Sequence, residues 1–569
     1  MTSRVLLCLS VCVAAAHPTA SASAQRLDST RAKLDAQRAQ AQFERERRSV
    51  LPETPSRPST GYDEHIGRLS YWYDDDPLPE EPPRVRLARD RLLASLASAS
   101  WVTSGDPWIA GQRVRYLAEG ERGADAVAAA RECRSTGWWC DALLGFALHT
   151  NSEEAAADSA FTRALAAMPA DERCRWTNIT VLLDGDIHDR YEKMPCSPAR
   201  DSIEARFWWL SQPLYTRETN DRRTEHFARV MMTQLQQDAA TTIGMKWGDD
   251  LGESWIRYGW PRRFSQTRPR VSSIAAEATV TEHEPTPAFS FAPSDRAFAD
   301  FTASRESDYS TKADHPRSRY APAYALSFAS LPHQTGVFRR GDSALVIVAI
   351  NAAYDPRFLG SDITPALAIT HRADSLPEIT RAAPREGGAA VAIARTAWSP
   401  FVASVEVISL QAKHAARARF GVRLPAADTG ITISDLVFVR DSLPDSPSME
   451  DVAAALLTDT RTRRDHKLGL YWEVYGLGRD TAEASVSVTV TPVGRGWFRS
   501  ATDALRITKP TVPVTFTFGQ RQDGDQQRGV GALSLDLHEL EPGRYRVDVF
   551  IKRRELETAR VSREVELEP

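Results

Sequence analysis

KWGDDLGESWIRYGWPRRF, Lys246 to Phe264, is the stretch on which the reading of this chain turns. Before it, apolar residues recur at helical spacing. After about residue 286, short Val-rich runs alternate as strands do. The stretch itself carries Trp247, Trp255 and Trp260, the carboxylates Asp249, Asp250 and Glu253, and Gly252 and Gly259 at its turns. Two readings compete for such a cluster. Carboxylates and aromatics can form a ligand site, or the aromatics can be core and Asp250 can cap a turn.

Working outward, the segment Asn220 to Gln237 places Phe227, Val230, Met231 and Leu235 on one helical face, with Asn220 or Thr219 as N-cap. Trp247 and Trp255 are expected to pack on that face. From Trp138 to Pro169, the residues Gly145, Leu148, Ala157, Phe161, Ala164 and Pro169 fit the tetratricopeptide spacing. Small residues at 145 and 157 let two helices approach, and Phe161 fills the groove between them. Gly111 and Val114 fall at equivalent places one repeat earlier. A tetratricopeptide-like region over 86–237 is therefore expected, with the motif segment at 238–270 and a linker at 271–286.

Residues 287–569 contain SALVIVAIN (Ser343 to Asn351), FVASVEVISL (Phe401 to Leu410), LVFVRD (Leu436 to Asp441), YWEVYGL (Tyr471 to Leu477) and YRVDVFI (Tyr545 to Ile551). Helical connections between these runs are scarce, which argues for antiparallel sheets. The fold class expected is α+β: N-terminal helical hairpins followed by two antiparallel β-sandwich modules, 287–441 and 442–569. The Pro-rich, charged stretch 25–85 reads as a disordered linker.

A chain of 569 residues exceeds one core, and its net charge of −4 gives no sign of nucleic acid binding. Arg4 followed by the apolar run Val5 to Ala16 and by Ala22-Ser23-Ala24 reads as a signal peptide over 1–24, cleaved after Ala24. The expected location is periplasmic or extracellular, with no transmembrane segment. Cys133, Cys140, Cys174 and Cys196 then remain, and an oxidising compartment favours disulfides. Proximity favours pairing Cys133 with Cys140 and Cys174 with Cys196. Free buried thiols and zinc are the alternatives, though no CxxC unit supports a metal site.

WGDDLGESWIRYGWP (Trp247 to Pro261) resembles the motif of GWxTD-domain proteins, which are exported bacterial proteins. Trp247, Asp250 and Gly252 match it, as do Trp255-Ile256, Tyr258-Gly259 and Pro261. Lys246 and Asp249 depart from it. The resemblance implies an extracytoplasmic setting and a structural motif, and no activity.

No G-x-S-x-G, H-E-x-x-H or G-x-x-x-x-G-K occurs. The expectation is an exported, non-catalytic interaction or scaffold module of the bacterial envelope. It needs no cofactor or metal and meets a protein partner through its helical region. The alternative is a carbohydrate- or peptidoglycan-binding protein or hydrolase using Asp249, Asp250 and the Trp cluster. Its binding residues would be Trp247, Asp250, Trp255, Tyr258 and Trp260.

Overall fold

A computed structural model describes residues 19–54, 61–73, 76–103, 105–267, 279–284, 289–312, 316–425, 430–444, 447–476, 484–493, 514–518, 528–553 and 557–569. Residues 1–18, and with them most of the expected leader, lie outside these. The protein is α+β, with helices first and mostly antiparallel sheets after. No helix among the described residues is long and apolar enough to cross a membrane. The chain divides into two compact units, 1–177 with 224–285, and 178–223 with 286–569.

In the first unit, the helices Pro83–Val102, Pro107–Glu119, Gly123–Arg131, Trp139–Thr150 and Glu154–Ala167 pack in sequence, each against the next. Gly145 shows why the Trp139–Thr150 and Glu154–Ala167 helices approach so closely. A Cβ there would lie 2.9 Å from the Phe161 ring. Phe227, Met231 and Trp255 share the same core. Cys133 and Cys140 form a disulfide. Cys174 and Cys196 are disulfide-bonded as well, so the four cysteines make two bridges.

The linker expected at 25–85 is corrected. Thr19–Ser49 is a 31-residue helix, and Glu64–Ile66 pairs with Leu69–Tyr71 as a hairpin. Low apolar content misled the reading because the helix docks through polar groups. Gln40, Glu44 and Arg47 are buried beside Phe43 and Ala36. The Gln40 amide donates to the Tyr116 hydroxyl (2.8 Å), and that hydroxyl donates to Glu44 Oε1 (2.5 Å). Arg47 pairs with Glu44 and Glu119 at 2.7 and 2.8 Å. Burial would raise the Glu119 carboxyl, but Arg115 and Arg47 outweigh it and hold it down at about 2.

In the second unit, a five-stranded sheet runs Glu378–Arg381, Thr364–Thr370, Phe401–Ser409, His414–Val422, Ser327–Ser330. It shares one apolar core with a four-stranded sheet of Ala383–Pro384, Ala389–Ala397, Ser343–Asn351 and His333–Arg340. Phe401–Ser409 is buried at every position. Phe401, Ala403, Val405 and Val407 face that core, while Val402 meets Trp209, Leu210 and Tyr215. Glu406 accepts from the Tyr215 and Thr216 amides at 2.8 and 3.0 Å. Residues 178–223 therefore belong with the strands, which corrects the single helical region expected over 86–237.

The boundary expected at 441 is also corrected. Val437–Arg440 and Thr432–Ile433 pair with Leu468–Tyr475, so the C-terminal strands begin before 441. Those strands and Arg528–Leu535 share a core with the sheet of Ala484–Pro492, Gly543–Arg553 and Glu557–Glu568.

Candidate functional site

Asp249–Tyr258 is a helix. The turn expected at Asp250–Gly252 is thus the helix's first turn, and open space surrounds the Gly252 position. The segment is strongly two-sided: Leu251, Trp255 and Tyr258 are buried, while Gly252, Glu253 and Ile256 are not fully so. Gly259 stops it at φ +99°, a conformation that disfavours any side chain. The last carbonyls are taken by a neighbour. Arg229 Nη1 donates to Ile256 O (3.1 Å) and Arg257 O (2.8 Å), a cation at a helix C-terminus. Glu225 fixes that guanidinium at 2.5 Å and meets His149 Nε2 at 2.5 Å. Burial would raise the Glu225 carboxyl, but Arg229 and His149 hold it well below the usual range.

The hairpin Glu64–Tyr71 clasps the helix. Asp250 accepts from Arg68 Nε at 2.6 Å, Arg68 Nη2 at 2.7 Å and the Arg68 amide at 3.1 Å, besides its own neighbour's amide, Leu251 N, at 2.9 Å. The Arg68 guanidinium holds this carboxyl well below its ordinary value. Tyr71 stacks on Tyr258 with centroids 3.8 Å apart and planes 10° apart. The buried Arg257 pairs with Glu64 (3.2 Å) and Glu253 (3.0 Å). Gly67 is required: at φ +53°, its Cβ would lie 2.7 Å from that of Asp250.

The aromatics are similarly engaged. Trp247 meets Trp255 edge to face at 4.9 Å, and Trp260 lies 5.7 Å from Phe146. The Trp255 indole donates to Glu282 Oε2 at 3.3 Å. Glu282 sits on Val280–His283, which pairs with Arg263–Thr267. Burial pushes its carboxyl up to about 7, and the indole hydrogen bond only partly offsets this. The five candidate binding side chains are thus engaged in different places: Asp250 and Tyr258 by the hairpin, Trp255 by Trp247 and Glu282, and Trp260 beside Phe146. Asp249 begins the helix and is not drawn into the clasp.

At Arg263 the surface opens into a charged cleft of about 920 Å³, counting its mouth, lined by Glu80, Glu81, Arg86, Arg89 and Glu121 among others. The sequence marks SYWY, Ser70 to Tyr73, as a segment that docks locally on the folded body, and Tyr71 does so, but it does not reveal the clasping residues Glu64, Gly67 and Arg68. Their signal was an alternating run broken by Gly67-Arg68. Sequence reasoning also missed Arg229 and Glu282, which no local pattern announces.

Other chemistry is accounted for structurally. Asp184 caps the helix Gly185–Glu192 by accepting from Gly185 N at 2.9 Å. Among the described residues no cluster of His, Cys, Asp and Glu is arranged to hold a metal ion. His414 lies between Ser327 Oγ (2.7 Å) and Asp355 Oδ2 (2.8 Å), the bonding order of an activated serine. Its side chain is only 1% exposed and Asp355 is also committed to Arg357, so the three stitch an edge strand to a loop.

No family model matches this chain, and no curated protein matches it.

Proposed function

We propose that this is an exported interaction or scaffold protein of the bacterial envelope, not an enzyme, with tetratricopeptide-like hairpins, a GWxTD-like joint and two β-sandwich modules. One observation carries the reading. The carboxylate and aromatics that would make a site at the joint are spent on the protein's own hairpin, strand and helices. Exposed apolar side chains occur on both units, and on the helical side they include the large aromatic Trp101 at 89% with Leu87 at 61%, both on Pro83–Val102. Large aromatics left in water mark binding surfaces more often than isolated small apolar residues do. The two disulfides fit an oxidising compartment.

The test is a photocrosslinking amino acid placed at Trp101, and in a second protein at Leu376, which is equally exposed on the other unit. A defined envelope protein captured from position 101 and not from 376 supports the reading. Equal capture, or none, overturns it.

The second reading, a carbohydrate-binding protein, draws on the charged cleft at Arg263. Its alternating carboxylates and guanidiniums suit a hydroxyl-rich, uncharged ligand. Titration with neutral oligosaccharides followed by NMR tests it, and loss of binding in Glu81→Gln would place the ligand there.

A further inference from the structure

Behind the motif helix lies a small cavity, lined by Arg115, Gln236, Thr241, Thr242, Trp255 and Glu282 among others. It has room for about a single water molecule. Two acceptors in its wall are buried without a hydrogen-bond partner, Gln236 Oε1 and Glu282 Oε1. Gln236 is 1% exposed, and although Glu282 as a whole is half-buried, that oxygen is enclosed. Buried polar atoms without partners are rare, and an ordered water is their commonest remedy. One water there can accept the O–H of a protonated Glu282 and donate to Gln236 Oε1.

Among the described residues, the groups around Glu282 offer its charge no partner. Arg115 is committed to Glu119 (2.7 Å) and Gln112 (3.2 Å). The Thr242 hydroxyl donates to Glu44 (2.8 Å), and that of Thr241 to Met245 O (2.9 Å). His283 Nε2 lies 2.7 Å from Ser265 Oγ, and Arg263 pairs with Glu121 at 2.7 Å. The Trp255 indole remains, a neutral donor at 3.3 Å.

We infer that Glu282 is held as the neutral acid, sharing one buried water with Gln236, and that losing its proton unlatches the Trp255 segment. Ionisation moves one proton to solvent and leaves a carboxylate facing Gln236 Oε1 across the cavity. Relief comes from admitting more water, which requires the Trp255 helix or the Val280–His283 strand to move. The motif segment is then a proton-controlled latch, closed below neutrality and loosened above it.

Hydrogen exchange over residues 247–264, corrected for the intrinsic pH effect, tests this in the full chain at about pH 6 and about pH 8.5. Protection should fall about tenfold or more between them in the wild type. In Glu282→Gln, which cannot ionise, it should stay level, while His283→Gln should behave as wild type. A neutral-acid infrared carbonyl band at the lower pH, missing in Glu282→Gln, is the second measurement. The latch is overturned if wild-type protection is level, if the Gln variant keeps the wild-type dependence, or if His283→Gln abolishes it. Should the Gln variant fail to fold, absence of the carbonyl band in the wild type overturns it.

Discussion

Two carboxylates that engage the motif helix, Asp250 within it and Glu282 against its Trp255, have opposite electrostatics and make opposite predictions. Asp250 is held below its ordinary value by Arg68. Its contribution is therefore present in full above the ordinary carboxylate range and is lost as pH falls below that range toward the depressed folded value. Arg68 is 47% exposed, so solvent discounts the pair, and Asp250→Asn should cost about 1 kcal/mol, read by chemical denaturation at neutral pH. The loss should shrink in acid, where the wild-type carboxylate is protonated too. Glu282 runs the other way. Its folded value of about 7 stands above the ordinary 4.5, so its stabilisation is complete below 4.5 and lost as pH rises through about 7. The shift is worth on the order of 3 kcal/mol at most. Glu282→Gln should flatten the wild type's decline in stability across that window. A variant that declines as steeply as the wild type would show that another group titrates there.

Elements differ in how openly the sequence declares them. Ser343–Asn351 and Phe401–Ser409 announce themselves by β-branched runs between turn residues, and the two helices around Gly145 by small residues at packing distance. The motif's Trp residues were legible as core because their neighbour Phe227 lies on an apolar helical face. The N-terminal helix was not legible, since its contacts are hydrogen bonds whose partners lie about 70 to 200 residues away, as Gln40 with Tyr116 and Ala240 shows. The clasping hairpin was hidden for the same reason: Arg68 and Asp250 are 182 positions apart. Two substitutions measure these elements. Phe43→Ala removes an aromatic that is 2% exposed and packs on Tyr116 at 5.2 Å, and should destabilise the first unit by about 3 kcal/mol in thermal unfolding. A linker residue would cost nothing. Gly67→Ala must strain a φ of +53° and press on Asp250, so about 1–3 kcal/mol and faster exchange at 249–258 are expected. Wild-type stability in that variant would mean that the clasp is optional.

At the scale of the molecule, the chain order and the folded units do not coincide. Residues 178–223 interrupt the first unit in sequence and complete the second in space. Their role there is to cover a sheet. Arg419 Nη1 reaches Leu210 O (3.0 Å) and Gln212 O (2.8 Å), Arg417 reaches Pro213 O (2.6 Å), and Glu406 takes the amides of Tyr215 and Thr216. Trp209, Leu210 and Tyr215 thereby meet Ala297, Tyr309, Ala368 and Val402. Burying charged groups this way is costly unless every partner is present, so cutting the chain between the halves should harm both. A fragment of residues 19–285 keeps the whole first unit with its Cys133–Cys140 bridge, yet strips Trp209, Leu210 and Tyr215 of their cover. It should bind a hydrophobic dye and self-associate. Ala substitution at Trp209, Leu210 and Tyr215 together should return it to a monomer that retains first-unit exchange protection. The reciprocal fragment, 286–569, should leave Glu406, Arg417 and Arg419 without the backbone groups they bond, and should unfold at lower denaturant than the same strands in the full chain. If 19–285 is monomeric without those substitutions, the 178–223 segment folds independently of the sheet, and the assignment of that segment to the second unit fails.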